Sequence, residues 1–186
     1  NTFLYNSKND GCTVNGQTDT FGWNFVHDNN IPYDDYSSKH GTVITNIITS
    51  SLTQHNIPHQ ILPVKIANAN GNIKYFDALC GFKYATKKEN IKVINMSFGW
   101  YAKELSLLGR FIEEVSEDIL VVTSAGNSGL NNDNNPHYPS SYPIENILAV
   151  ASLADANGNG MVNQGLGLAE FSNYGMTSVD VAAIGE

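Results

Sequence analysis

The stretch Lys92–Trp100 narrows the possible folds of this chain more than any other, because a short run of β-branched residues stops there at small and polar ones. Such a run, with helix-like sequence on both sides, is typical of a parallel strand covered on both faces. We therefore expect a central strand that ends in a functional loop. Ligands bind at the carboxyl ends of parallel strands, so Ser97, Phe98 and Gly99 are the first candidates for a site.

The next apolar run has the same form. Asp118–Thr123 reads as a strand and stops at Ser124–Gly129, a stretch of small and amide residues. Two adjacent strand ends that both open into Gly and Asn outline a cleft. The small residues Ser124, Ala125 and Gly126 would leave room in it for a side-chain pocket.

Composition limits the class of protein. The chain has 186 residues, of which 41% are hydrophobic and 15% charged, so we expect one domain over residues 1–186. Its formal charge of -8 argues against a nucleic-acid partner. No run approaches the roughly 18 apolar residues that span a bilayer, and no basic-then-apolar leader opens the chain. We expect a soluble protein with any signal peptide already absent, and the many Asn, Ser and Gly residues suit an extracellular one.

The two cysteines do not form a recognisable framework. Cys12 and Cys80 are too few for a disulfide scaffold and are not spaced for zinc. They could pair, but Cys80 lies in a helical pattern and is better read as a small buried core residue.

The first 39 residues show little periodicity, and we expect a loop with a short strand at Phe21–Val26. The acidic stretch Asp28–Asp35 could be taken for a calcium loop. Its spacing does not follow the EF-hand pattern, so a solvated turn around Pro32 is the preferred interpretation.

A helical period begins at His40. Its apolar positions recur at helical spacing, although Thr, Val and Ile are weak helix formers; they are Val43, Ile44, Ile47, Ile48 and Leu52. The period predicts a helix with His40 at its amino end, where the ring could face a cleft. The alternative is a polar surface residue near a helix cap.

Strands and helices then alternate. We predict strands at Ile61–Ile66, Ile147–Ala151 and Val179–Ala182, a turn at Asn68–Asn72 and a hairpin at Asn157–Gly160. Two more helices carry apolar residues at helical spacing, namely Phe76, Leu79, Phe82 and Ala85 or Thr86 in one, and Leu108, Phe111, Ile112 and Val115 in the other. The alternation predicts a three-layer α/β/α domain with a mostly parallel sheet.

Several motifs, in this order, together resemble the subtilisin-like serine peptidases. They are His40–Thr42, Leu62–Ile66, Val93–Gly99, Val121–Asn127, Tyr138–Pro143, Phe171–Gly175 and Val179–Ala183. The resemblance covers nearly the whole chain. It implies a secreted serine endopeptidase that cleaves polypeptides by acyl-enzyme chemistry.

The resemblance also implies roles for individual residues. His40 would be the general base, and Asn127 would donate its side-chain amide to the oxyanion hole. Ser97–Gly99 would pair with the substrate backbone as an added strand, and Gly71, Asn72 and Ile73 would line the other side of the substrate. Taken alone, Asn127 would read as a turn asparagine and Ser97–Gly99 as an ordinary strand exit. No cofactor is implied, although a structural calcium ion is possible.

The catalytic carboxylate and nucleophile of the family are not identifiable in this sequence. No Asp-Ser-Gly or Asp-Thr-Gly segment lies between Asn1 and Lys39, and the Gly-Thr-Ser-Met-Ala element would lie beyond Gly185. We therefore expect a domain incomplete at both ends, inactive as an isolated chain, that self-associates or needs the missing segments. One alternative is a pseudoprotease that acts as a peptide-binding or scaffold protein, and another is an unrelated α/β ligand-binding domain.

Two geometric expectations follow from the resemblance. The imidazole of His40 and the amide of Asn127 should face one cleft, close enough for a substrate carbonyl to lie between them. The Tyr138–Pro139 peptide bond should be cis, because the matching loop in the family has a cis proline.

Overall fold

The structure is a computed structural model that describes residue 4 and residues 13–14, 16–19, 21–101, 106–155 and 166–185. The chain divides into two compact units, Asn1–Asn90 and Ile91–Glu186. Each unit is described by itself below. The expectation of a single domain over residues 1–186 stays a prediction.

The described residues of the first unit form two small sheets and two helices. Its elements are β1 (Thr13–Val14), β2 (Gln17–Thr18), β3 (Trp23–Asn24), α1 (His40–Gln54), β4 (Val64–Lys65) and α2 (Tyr75–Thr86). The β1 and β2 strands pair antiparallel, whereas β3 and β4 pair parallel. Trp23 is fully buried, so the apolar island predicted near it forms part of this unit's core.

The α1 helix confirms the helical period, but its apolar face is not buried. None of its fifteen residues is buried, and the exposed fractions of Val43 and Ile47 are 48% and 61%. A period of 3.6 residues reports which side chains share a face of a helix. It does not report whether another element covers that face.

The α2 helix buries most of the predicted face. Leu79, Phe82 and Ala85 are buried, but the prediction for Phe76 is wrong, since its exposed fraction is 72%. Burial begins only at Ala78, half a turn after Phe76. A Cβ atom added at Gly81 would lie 2.8 Å from Ile66 Cγ2 and 3.0 Å from Val64 Cγ1, so glycine here lets α2 approach β4 closely.

Cys80 lies on the same helix and is only partly buried, so the expectation of a fully buried core residue is wrong. Burial raises the pKa of this thiol, and the nearby charge of Asp77 adds to the effect. Cys12 lies outside the described residues, so a pairing of the two cysteines stays untested.

In the second unit, the described strands form one five-stranded sheet. Its elements are β5 (Val93–Met96), α3 (Ser106–Glu113), β6 (Leu120–Ser124), β7 (Ile147–Asp155), β8 (Leu166–Leu168) and β9 (Val181–Ile184). The strand order is β5-β6-β7-β8, and β9 also pairs with β7. All pairings are parallel except that of β7 with β8. The predicted α/β class with a mostly parallel sheet is confirmed.

The β5 strand differs from its predicted place. It lies at one end of the strand order, paired with β6, and the exposed fraction of Val93 is 55%. Within the part of the chain that the structure describes, β7 is the central strand. A β-branched run predicts a strand, but its position in a sheet depends on partners far away in sequence. The predicted hairpin at Asn157–Gly160 lies outside the described residues.

The α3 helix is confirmed, but it ends at Glu113, so the prediction that Val115 belongs to it is wrong. Leu108 and Ile112 are fully buried, and burial of each side chain contributes about 1.5–3 kcal/mol. The buried side chain of Asn146 donates to the backbone oxygens of Ile112 (3.3 Å) and Ile119 (2.8 Å). These hydrogen bonds join the end of α3 to the residue just before β6. They therefore fix the position at which β6 begins.

Candidate active site

The first candidate segment, Ser97–Gly99, follows β5 directly. Among the described residues, no group hydrogen-bonds to the backbone of Phe98 or Gly99. The segment is anchored just beyond, where Trp100 N donates to Tyr138 O (2.9 Å) and Tyr138 N donates to Trp100 O (3.0 Å). An anchored backbone with unused N–H and C=O groups can pair with an extended peptide.

The anchoring loop contains a cis peptide bond between Tyr138 and Pro139. This confirms the prediction made from the resemblance. The rings of Tyr138 and Tyr142 pack with their centroids 4.8 Å apart, which closes the loop on itself.

The second candidate segment leaves β6 at Ser124. Ala125 N donates to Val150 O (2.9 Å) on β7, and Ala125 O accepts from Asn132 Nδ2 (2.8 Å). Gly126 O then accepts from Asn173 N (2.9 Å). Gly126 has φ +113°, a conformation that other residues rarely adopt, so glycine is needed where the chain turns here.

Asn173 holds the rest of this loop through its side chain. Its Oδ1 accepts from the backbone nitrogens of Ser128 (2.9 Å) and Leu130 (3.2 Å). Its Nδ2 donates to the hydroxyl of Tyr101 (2.6 Å) and to Asn132 Oδ1 (2.8 Å). A carboxamide has two donor hydrogens and an acceptor oxygen with two lone pairs, so the fully buried Asn173 uses its whole hydrogen-bonding capacity.

The sequence analysis did not identify this role for Asn173. The residue lies in Phe171–Gly175, one of the motifs that carries the resemblance, but its type alone does not distinguish a buried hub from a turn residue. Asn132 and Tyr101 were missed as well, because residue type does not reveal a hydrogen bond to a residue far away in sequence.

Asn127 lies at the tip of this clamped loop. It is exposed, and its side chain makes no hydrogen bond with any described residue. Its neighbours on both sides are held by the hydrogen bonds to Asn173. The amide is therefore a donor on a fixed backbone with its hydrogens available for a ligand, which suits an oxyanion-hole donor.

The small residues beside Asn127 do not simply leave space. Ala125 is 1% exposed, and a Cβ atom added at Gly126 would lie 2.5 Å from Asn173 Nδ2 and 3.0 Å from the Tyr101 hydroxyl. The small residues were expected to leave room for a pocket, but at Gly126 the side chains of Asn173 and Tyr101 occupy that space.

His137 fills the corresponding space beside the first segment. A Cβ atom added at Gly99 would lie 2.5 Å from Nε2 of His137 and even closer to Cε1. The Ser140 hydroxyl donates to His137 O (2.7 Å), so its 3.1 Å contact with His137 Nδ1 is one in which the ring donates. Burial lowers the pKa of His137, and the neutral ring then presents an unprotonated Nε2 toward Gly99.

In the first unit, His40 is the first residue of α1 and is exposed. The preceding Lys39 has φ 51° and provides no side-chain cap. Asp34 caps the helix instead, because its Oδ2 accepts from Thr42 N (3.0 Å) and Thr42 Oγ1 (2.8 Å). Partial burial alone would raise the pKa of Asp34, but the bonds from Thr42, with smaller contributions from Tyr36 and Lys39, lower it overall.

Asp35 has a different partner. Its carboxylate pairs with Lys65 Nζ at 2.5 Å, and Lys65 also donates to Ala67 O (2.7 Å). The Lys65 hydrogen bond lowers the pKa of Asp35. The prediction of a solvated turn over Asp28–Asp35 is therefore wrong for its last two residues. Asp34 accepts hydrogen bonds from α1, and Asp35 forms an ion pair with Lys65 on β4. Sequence spacing gave no signal for these partners.

The segment Gly71–Ile73 lies in a turn closed by Asn68. Asn68 Oδ1 accepts from Asn72 N (3.0 Å), and Asn68 N donates to Asn72 O (3.0 Å). The backbone of Asn72 is thus used within the turn, so any substrate contact from this residue would come from its side chain. Gly71 has φ +80° and packs under the ring of Tyr36.

No described cluster of three or more His, Cys, Asp and Glu side chains is arranged to hold a metal ion. Asp133 and Asp180 line a cavity of about 510 Å³ in the second unit. Both carboxylates accept backbone hydrogen bonds, Asp180 from Ala149 N at 2.7 Å and Asp133 from Met176 N at 2.8 Å. The structural calcium ion allowed by the resemblance stays a prediction.

The second unit brings together Ser97–Gly99 and Ser124–Asn127, which Tyr101 and His137 join. His40 and Gly71–Ile73 lie in the first unit. The catalytic and binding roles of these residues, and the expectation that His40 and Asn127 face one cleft, stay predictions. No helix in the described ranges combines the length and apolar character needed to cross a bilayer.

Comparison with known proteins decides the family. The sequence model described as the Subtilase family matches residues 7–186. The chain belongs to the subtilase family. It is 32% identical over 170 residues to a cell wall-associated protease of Bacillus subtilis (strain 168), covering 88% of this chain and 17% of that protein. It is 31% identical over 142 residues to a subtilisin of Bacillus pumilus, covering 73% of this chain and 50% of that one.

Two further matches agree. Thermitase of Thermoactinomyces vulgaris is 31% identical over 170 residues, which cover 88% of this chain and 54% of thermitase. The crystal structure of a cold adapted subtilisin-like serine proteinase superposes with a TM-score of 0.64 at 20% identity, covering 89% of this chain and 55% of the other. The fold is thus subtilisin-like. This subtilase chain spans about half, or less, of the length of these relatives.

Proposed function

We propose that this chain is the part of a subtilisin-like serine endopeptidase that carries the general base, one oxyanion-hole donor and the substrate-binding segments. The observation that carries the proposal is Asn127, an exposed amide without a described partner on a loop clamped by Asn173. Family membership supports it, since the relatives named above include a subtilisin and thermitase. The substrate is a polypeptide, bound as an added strand along Ser97–Gly99.

The proposed chemistry assigns a task to each group. A serine hydroxyl is a weak nucleophile until an imidazole removes its proton, and this is the task of His40. The carbonyl oxygen that becomes negative in the tetrahedral intermediate needs a donor already in place, which the Asn127 amide supplies. In subtilisin, removal of such an asparagine lowers kcat by about 10²–10³-fold.

The backbone of Phe98 and Gly99 would orient the substrate. Main-chain pairing fixes an extended peptide in register, so that one carbonyl faces Asn127. We propose that the serine nucleophile and the carboxylate that orients His40 come from residues outside these 186. The isolated chain should therefore not hydrolyse peptides.

A fluorophosphonate probe, which labels only activated serines, tests the proposal. We expect no labelling of the 186-residue chain and labelling of one serine in the product of the complete reading frame. His40→Ala should abolish that labelling, whereas His55→Ala, a change at the exposed histidine that follows the same helix, should not. Labelling of the isolated chain, or labelling that survives His40→Ala, would contradict the proposed roles.

The same experiment distinguishes the peptidase from the alternative, a pseudoprotease. If the complete product binds peptides but takes up no probe, the protein is a peptide-binding pseudoprotease rather than a peptidase. We also propose an extracellular location. The low proportion of charged residues, 15%, supports it, and so does a relative named for its association with the cell wall. Detection of the protein only in the cell lysate, and not in the medium or wall fraction, would contradict it.

Self-association, or docking of segments outside this sequence, is a further part of the proposal. The exposed Val43 and Ile47, one turn apart on α1, support it, and so does the exposed Val93 on β5, because exposed apolar side chains favour a partner. Sedimentation of the isolated chain at several concentrations tests it. A monomer at all concentrations, with full hydrogen-exchange protection of β5, would contradict it.

A further inference from the structure

Two aromatic side chains lie between the candidate substrate segments. His137 lies against Gly99 at the end of β5, and the Tyr101 hydroxyl lies against Gly126 at the end of β6. The two rings contact each other with centroids 4.9 Å apart. Together the two rings form a continuous bridge between Gly99 and Gly126.

The bridge leaves little room at either glycine. A single added carbon at Gly99 would lie 2.5 Å from His137 Nε2, and one at Gly126 would lie 3.0 Å from the Tyr101 hydroxyl. Both distances are shorter than ordinary van der Waals contact between heavy atoms. Any side chain that entered the space between Gly99 and Gly126 would therefore have to share it with the two rings.

Both rings are anchored. His137 is 5% exposed and bonded to Ser140, so it forms the inner end of the space. Tyr101 is 44% exposed, which places it on the outer side, and its hydroxyl accepts from Asn173 Nδ2 at 2.6 Å. Moving Tyr101 aside would break that hydrogen bond and leave a donor of the buried Asn173 amide unpaired.

We propose that Tyr101 and His137 close the side-chain pocket of the cleft, so that the chain selects polypeptides with glycine or alanine at the pocket-facing residue. The pocket-facing residue is the one whose carbonyl faces Asn127. The inference rests on the proposed function and adds the substrate class. An aromatic residue at this position would have to displace Tyr101, and overpacking of that kind weakens binding.

Binding to the isolated chain tests the inference without catalysis. Two probes are suitable, fluorescein-Thr-Thr-Thr-Ala-amide and fluorescein-Thr-Thr-Thr-Phe-amide, since threonine at the other positions keeps a second small residue from entering the pocket. Fluorescence anisotropy should give a Kd for the Ala peptide at least about tenfold lower than that for the Phe peptide.

Variants of Tyr101 supply the decisive comparison. In Tyr101→Ala the Phe peptide should bind at least about tenfold more tightly than to the wild type, with the Ala peptide changed less than about threefold. Tyr101→Phe is the matched control, because it keeps the ring and removes the bond to Asn173, and it should keep the preference for Ala. If Tyr101→Ala does not fold, His137→Ala, which removes the inner ring, takes its place and should likewise bind the Phe peptide more tightly than the wild type does.

Each outcome decides the inference. Equal affinities, or a preference of the wild type for the Phe peptide, would overturn it and leave peptide binding intact. If neither peptide binds, the inference is also overturned. The fluorophosphonate experiment then tests the proposed peptidase function separately. If neither variant folds, the ratio of the two wild-type Kd values alone decides.

Discussion

The side-chain oxygen of Asn173 lies 2.9 Å from the backbone nitrogen of Ser128, across 45 positions of sequence. The contact joins the strand exit that follows β6 to the segment between β8 and β9. Asn127 immediately precedes Ser128, so the geometry of the candidate oxyanion donor depends on an amide from a distant part of the chain.

Asn173→Ala should lower the free energy of unfolding by about 2–4 kcal/mol, because it removes the acceptor of the Ser128 and Leu130 N–H groups and the donor to the buried Asn132 side chain. Urea denaturation of the isolated chain measures the change. Asn134→Ala, at an exposed position of the same loop region, is the matched control and should stay within about 0.5 kcal/mol. Equal effects of the two substitutions would show that the Asn173 amide does not hold the loop.

A buried ion pair supports the first unit. Lys88 Nζ lies 2.5 Å from Asp19 Oδ2, and the exposed fractions of the two side chains are 2% and 0%. Lys88→Met should lower the free energy of unfolding by about 3–5 kcal/mol, because it removes the ammonium group that offsets the charge of a buried carboxylate. Lys87→Met, at the exposed neighbouring lysine, is the control.

The double variant Asp19→Leu/Lys88→Met distinguishes the value of the pair from the cost of breaking it. It should recover most of the loss seen in Lys88→Met, since no charge then remains buried. A double variant as unstable as the single one in urea denaturation would contradict this account.

Asp133 predicts a dependence of stability on pH. Its Oδ1 accepts from the hydroxyls of Ser178 (2.8 Å) and Thr177 (2.9 Å), and its Oδ2 accepts from Met176 N (2.8 Å). The Ser178 hydroxyl is the largest cause of a pKa far below the ordinary value for Asp133. A lowered pKa stabilises the fold above the ordinary aspartate pKa of about 3.9, and this contribution is lost as the pH falls below it.

Asp133→Asn should therefore be less stable than the wild type at pH 7, and the difference should shrink as the pH falls from about 4 to 2. Urea midpoints measured across this range check the prediction. Asp118→Asn, at an exposed aspartate of the same unit, should show a much smaller difference at pH 7. A difference for Asp133→Asn that does not vary with pH would contradict the predicted linkage.

Asp34 should stabilise the amino end of α1, where His40 lies. Asp34→Ala removes the acceptor of Thr42 N and should cost about 1 kcal/mol, with faster hydrogen exchange at the first amides of the helix. Asp34→Asn keeps an acceptor oxygen but loses the charge that favours a helix amino end, so its effect should be smaller. Exchange rates at Thr42 that are equal in all three proteins would contradict the capping role.

The identity of most elements was predictable from the sequence. The α1, α2 and α3 helices and the β5, β6 and β7 strands follow from the spacing of apolar residues, because local geometry alone decides which side chains share a face. The motifs around Val93–Gly99 and Val121–Asn127 predicted the family, since each is a contiguous stretch of sequence.

Other features depended on the tertiary structure. The exposure of Phe76 and the position of β5 at one end of the described sheet depend on which elements lie beside them, and no local period reports that. The Asn173 amide reaches Tyr101 across 72 positions, and the Tyr101 ring in turn meets His137. Hydrogen bonds and ring contacts between distant residues form only once the folded backbone brings them together. For this reason the sequence alone determined the strands, the helices and the candidate residues, whereas only the tertiary structure decided what fills the space between them.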